Sequence, residues 1–445
     1  MTEAAIQAAL SRGGTIVFNA GGPVTVPITS QLLVTRNVII DGGAKVTLDG
    51  GGASRIFYAP YGGASLQLQN MTLQNASTVA KGLRGGAVYV FQGTFIAINV
   101  AFQNNAAAPS GKDVGGGAVY QFECSKCVYS GCTFTGNTGS NGGAIGSLGL
   151  DFIVYGCTFT NNTATGIGGA TGGSGGAIYV DGVSYGTPNH VFKVGHSTFK
   201  GNSGDLMGGG VFCYLYPGTG SSASIDTTTF DSNALNGTGG FGGGLYVQNE
   251  TLTLVCSTFT NNSCTDLGGG LWLEAGNPAT ITNCTFNGNK VTSPSNGYGG
   301  AIDVVTGTAD LTNLTIAQNF AGNYAGGIFA PNSSSVTVKN CLLQNNTGGA
   351  TTNGQNVNRT MTDGGGNMQW PTRRPDGDYD TKVTPTVLWA DALLAPLAQN
   401  GGPTETQAIP LTSPAVNAGA AGGPLIDQRG VARTPPDDIG AFEAK

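Results

Sequence analysis

The chain has 445 residues, of which 76 are glycine and only 10% are charged, with 39% hydrophobic residues and a formal net charge of −6. That balance supplies apolar material for a core and argues against disorder, and the absence of a basic run argues against a nucleic-acid partner. With only His190 and His196 as histidines a histidine-built metal site is not expected, no run of 18 apolar residues marks a membrane span, and no cofactor is expected.

Residues 3–10, EAAIQAAL, have helical composition and are expected to plug the first coil of the downstream repeat array. The opening MTEAAIQAALSRGGTIVF carries neither a basic n-region nor an apolar h-region, so it is read as a mature secreted chain with a start Met after signal removal. The stretch to Gly52 then alternates strictly, as in VTVP and KVTLD, and predicts early strands.

From Phe102 onward two elements repeat. Phe-x-x-Asn recurs as Phe102/Asn105, Phe134/Asn137, Phe159/Asn162, Phe199/Asn202, Phe230/Asn233, Phe259/Asn262 and Phe286/Asn289, weakening to Ile316/Asn319 and Leu343/Asn346. Between its copies a Gly-rich lead-in ends in one aliphatic residue: Val88, Val119, Ile145, Ile178, Val211, Leu245, Leu271, Ile302 and Ile328. Both elements have period-2 flanks (CTFT, AIYV) and neither has a helical period. A unit of two or three short strands cannot bury its own apolar face, so copies must stack, with equivalent residues in columns about 4.8 Å apart. The expected fold is therefore all-β: a right-handed, single-stranded parallel β-helix with an N-terminal helical cap. Residues 1–12 form the cap, 13–349 the β-helix, and 350–445 a C-terminal segment packing on or capping it.

Paired FxxN and GGA(I/L/V) elements resemble the repeats of bacterial polymorphic outer-membrane proteins, which are β-helical surface adhesins. The tail LAPLAQNGGPTETQAIPLTSPAVNAG...DQRGVAR...DDIGAFE, Leu394 to Glu443, is similar to the choice-of-anchor Q domain of secreted bacterial proteins. These resemblances imply a pectate-lyase-like solenoid and a secreted or cell-surface setting; they carry over no catalytic residue.

If the aliphatic column faces inward, the residue after each faces out. That column reads Tyr89, Tyr120, Gly146, Tyr179, Phe212, Tyr246, Trp272, Asp303 and Phe329, and two positions further lie Phe91, Phe122 and Tyr214 among others. A long apolar stripe marks contact with something, and aromatic faces stack on sugar rings. The expected ligand-binding residues are Tyr89, Tyr120, Tyr179, Phe212, Tyr214, Tyr246, Trp272 and Phe329, and the expected partner of the monomer is a polysaccharide or cell-surface glycan. The competing reading has the tail covering the stripe with Trp370, Tyr379, Leu388 and Trp389.

The acids on this face are Asp181, Glu274 and Asp303. Glu274 and Asp303 fall on neighbouring coils, about 8 Å apart at Cα by strand geometry, inside the range of about 6.5–9.5 Å that inverting glycosidases use between carboxyls. The alternative function is thus a polysaccharide-degrading hydrolase with Glu274 and Asp303 as acid and base and Asp181 as a third acid, against solvated acids that merely interrupt an apolar strip. A lyase reading rests on Lys81 or Arg84 as a proton-abstracting group, with Asp113, Asp205 and Asp266 on separate coils. The CSKC stretch Cys124–Cys127 lacks the second pair that a zinc site needs, and Cys132, Cys157, Cys284 and Cys341 read as small buried hydrophobes.

Overall fold

Each Phe-x-x-Asn element makes one three-residue strand and a turn. In a computed structural model describing residues 2–111, 114–166, 172–183 and 187–445, the strands Thr133–Thr135, Thr158–Thr160 and Thr198–Lys200 pair in parallel, with Phe134 opposite Phe159 and Phe159 opposite Phe199. These residues belong to one compact unit, Met1–Ser221; a second spans Ser222–Lys445. The division falls inside the repeat region, because a coil touches only its neighbours and no single core ties the array together.

In the first unit Phe102, Phe134, Phe159 and Phe199 stack face to face, with centroids 4.6, 4.6 and 4.7 Å apart. Phe230, Phe259 and Phe286 repeat this in the second at 4.5 and 4.7 Å. Such pairs add about 0.5–1.5 kcal/mol each beyond their buried area. Three residues on, the asparagines form a buried ladder. Asn137 Nδ2 donates to Asn162 Oδ1 (2.9 Å) and to Phe102 O on the previous coil (3.1 Å), while its own Oδ1 accepts from Asn105 N and Nδ2 (both 3.0 Å). Every polar atom of the amide is satisfied, which permits full burial.

The second column is equally regular. Phe57, Val88 and Val119 are in register, as are Ile145, Ile178 and Val211; in the second unit Leu245, Leu271, Ile302 and Ile328 follow one another. All are buried. The fold is the parallel β-helix expected from the repeat.

Helix Glu3–Leu10 closes the start by burying Ile6 and Leu10, and its Glu3 carboxylate accepts from the backbone and hydroxyls of Thr29 and Ser30. The far end differs from the sequence expectation. Parallel pairing does not stop near Gly349: Leu342–Gln344 pairs with Met368–Trp370, which pairs with Leu388–Trp389. The ladder continues through Asn346 to Asn356 (2.9 Å) and from Asn356 to Asp380 (3.1 Å). These rungs lack the Phe-x-x-Asn spacing, so the repeat fades in sequence while the geometry persists.

The tail beyond Leu394 lies on the outer face of the Phe-x-x-Asn strands of the second unit. Gln428 Nε2 donates to Thr258 Oγ1 (2.8 Å) and Thr285 Oγ1 donates to Gln428 Oε1 (2.7 Å), while Ala441 N donates to Thr315 Oγ1 (3.0 Å). Ile409, Ala415 and Ile439 pack on Leu342 and Met368.

Candidate ligand-binding face

The register places the expected outward column as read. Tyr58, Tyr89 and Tyr120 are opposite one another, as are Phe91 and Phe122, Tyr179 and Phe212, Tyr246 and Trp272, and Trp272 and Asp303. The stripe is nevertheless largely not exposed. Tyr120, Phe212, Tyr246 and Trp272 retain only 3–6% of their surface, and Tyr89, Tyr179, Tyr214 and Phe329 are half-buried. The cause is mutual stacking: Tyr246 lies on Trp272 at 4.2 Å and 4°, Tyr179 on Phe212 at 4.8 Å, and Phe329 on Tyr298 at 4.7 Å. Tyr120 folds over Gly146, where a Cβ would meet its ring at 2.7 Å. Ring faces that stack on each other are closed to a sugar.

Tyr379 and Leu388 are exposed, and Trp370 and Trp389 take part in the terminal coils.

The acids also depart from expectation. Asp303 is 1% exposed, and neither carboxylate oxygen has a hydrogen-bond partner; burial raises its carboxyl well above the usual range. A polymer cannot reach it. Glu274 stands opposite Thr306, because the register slips by one residue after Leu273, and its Oε2 accepts from Gln248 Nε2 (2.7 Å). Asp181 Oδ2 accepts from Tyr179 Oη (3.2 Å) within the first unit. Glu274 and Asp303 are therefore not a solvent-facing pair, and Asp181 is in the other unit. Asp113 lies outside the described residues; burial raises the carboxyls of Asp205 and Asp266, each in its own unit.

The open aromatic surface is in the first unit, where the flagged Phe91 and Phe122 meet a coil around Phe57–Ala59 that the repeat pattern did not flag. Tyr61, 73% exposed, meets Phe91 edge-on at 5.4 Å, and Phe91 meets Phe122 at 5.3 Å with planes 52° apart. Phe91 and Phe122 are half-buried. Beside this row run Tyr58 and Tyr89, stacked at 5.7 Å. Two guanidinium groups complete the face: Arg55 over Tyr58 and Tyr89 (5.4 Å to each centroid), and Arg84 over Tyr120 (5.1 Å) and Phe122 (5.4 Å). Tyr58, Tyr61 and Arg55 were missed because the glycines before RIFYAPYGG, Gly50–Gly52, stand further from Phe57 than the Gly-Gly pairs of the later coils stand from their aliphatic residue. The signal was there in Phe57-Tyr58, which matches Val88-Tyr89 in alternation.

Elsewhere in that unit His190 Nδ1 lies 3.0 Å from Asp151 Oδ1 and Nε2 lies 2.8 Å from Thr187 Oγ1. Thr187 and His190 sit three residues apart in one turn, so the chain of contacts ties that turn to the strand Ile145–Tyr155. All nine cysteines are free thiols, and no group of His, Cys, Asp and Glu among the described residues could hold a metal ion. No described helix is long and apolar enough to cross a membrane.

A family described as "Right handed beta helix region" matches residues 176–362. The chain is also similar to "Probable outer membrane protein pmp6" of Chlamydia pneumoniae, 31% identical over 166 residues. That match covers 34% of this chain and 12% of the relative, so the chain spans a small part of the relative's length.

Proposed function

We infer that the chain is an extracellular, surface-associated β-helix protein that binds a glycan on the aromatic face of its first unit. The single observation behind this reading is the partly open row Tyr61, Phe91 and Phe122, flanked by tyrosine hydroxyls and guanidinium donors. Tilted, half-open rings offer apolar surface to the C–H face of a sugar, and the polar groups around them offer hydrogen bonds to its hydroxyls. The likeness of part of the chain to an outer-membrane protein supports an extracellular setting. The hydrolase alternative gains no support, since Asp303, one of its two carboxylates, is buried.

Incubating the full chain with a panel of immobilised polysaccharides, scored for retention and for new reducing ends, tests both readings. Retention without release is expected. Release that survives Glu274→Gln and Asp303→Asn but not changes on the face would move catalysis to the first unit; no retention on any polymer would sink the binding reading.

A further inference from the structure

Beside the aromatic row, Gln31, Arg55, Tyr58, Arg84 and Tyr89 line a cleft of about 450 Å³. Arg55 is 5% exposed, yet none of its partners is charged. Its Nε donates to Gly85 O (3.0 Å), one Nη to Gln31 Oε1 (3.0 Å) and the other to Arg84 O (2.6 Å). Three of five donors are used, and among the described residues no carboxylate balances the charge. The Arg84 guanidinium lies over the Tyr120 and Phe122 rings. Among the described residues, no carboxylate pairs with either guanidinium. Glu123, near Phe122, accepts from Gln92 Nε2 instead (2.7 Å). A buried charge is ordinarily paired, because removing it from water is costly; burial here pulls the Arg55 guanidinium down to about 10. The chain as a whole is negative at −6, so two arginines in one cleft with no carboxylate partner among the described residues are a local feature against the overall field.

We propose that this cleft binds the anionic substituent, carboxylate or sulfate ester, of an acidic glycan whose ring rests on the adjacent aromatic row. The proposal rests on the ring-face reading and adds the charge of the ligand. Planar guanidinium forks suit carboxylate and sulfate oxygens, and the low-dielectric aromatic surround strengthens the pairing.

Affinity electrophoresis of the full chain through gels containing polygalacturonate, dextran sulfate or neutral dextran tests it. The native chain is expected to be retarded at least fivefold more strongly by one of the acidic polymers than by dextran, and the polymer that retards it identifies the substituent. Arg84→Gln should remove that preference while leaving retardation by dextran, and Lys126→Gln, an exposed cation on the strand Val119–Ser130, should change nothing. Unchanged thermal unfolding of Arg84→Gln establishes that the fold is intact. Equal retardation by charged and neutral gels, unaltered in Arg84→Gln, overturns the proposal and spares the ring-face reading. If no gel retards the chain, the ring face has failed, and calorimetric titration with galacturonate and with inorganic sulfate decides the cleft alone: binding lost in Arg84→Gln upholds it, no binding overturns it.

Discussion

Trp272 and Asp303 stand directly opposite each other on adjacent parallel strands, and both bury polar atoms, Nε1 of the indole and the two carboxylate oxygens, with no hydrogen-bond partner. An unmade buried hydrogen bond costs about 1–3 kcal/mol, so this pair is a weak point in the second unit. Because folding raises the Asp303 pKa, the folded chain keeps a proton that the unfolded chain has released. Stability therefore falls as pH rises from the unfolded value, near 3.8, toward the raised folded one. Asp303→Leu is expected to raise the melting temperature at pH 7.5, with the gap closing as pH drops toward 4. Calorimetric scans at both pH values measure this; an Asp303→Leu chain that melts lower at pH 7.5 would mean that the carboxylate is satisfied.

The asparagine ladder predicts the opposite kind of change. Asn262 Nδ2 donates to Phe230 O and Asn289 Oδ1 (both 2.9 Å), and its Oδ1 accepts from Asn233 N (3.0 Å) and Nδ2 (2.9 Å). Truncation strands several buried groups at once, so Asn262→Ala should cost about 3 kcal/mol or more. The exposed Asn296→Ala should stay within about 0.5 kcal/mol. Urea midpoints of the two variants separate them; equal midpoints would mean the ladder adds nothing.

In the tail, Arg433 pairs with Glu443 at 3.3 Å, with side chains 1% and 3% exposed, and donates to Asn283 Oδ1 (3.3 Å) beneath. Removing one member of a buried pair leaves the other charge stranded, at about 3–5 kcal/mol. Arg433→Met is expected to loosen residues 394–445 first. Hydrogen exchange followed by mass spectrometry should show tail amides losing protection while those around Phe259 keep theirs; uniform loss would contradict a separately held tail.

Much of this was legible in the sequence, for definite reasons. Phe134, Phe159 and Phe199 mark the core because a two-residue period allows only one inward register. Asn137 and Asn162 mark the turn because a buried amide must repeat to be satisfied. Exposure was not legible. Whether Tyr120 or Trp272 faces water depends on side chains outside its strand, such as Phe241 stacked on Trp272 at 6.0 Å. The acid pair failed because Asp303, in register opposite Trp272 as expected, is buried; the one inserted residue moved only Thr306 opposite Glu274. The terminal coils escaped notice because Asn356 and Asp380 extend the ladder without a Phe three residues before.

The central claim, that the first unit's aromatic row is the contact surface, is tested most directly by comparing the native chain with Tyr61→Ser, Phe91→Ser and Tyr246→Ser. Affinity electrophoresis in a gel containing the best polysaccharide of the panel would be the measurement. Loss of retardation in the Tyr61 and Phe91 variants, with none in Tyr246→Ser beyond what its folding explains, is the predicted result. Undiminished retardation after both Tyr61→Ser and Phe91→Ser would contradict it.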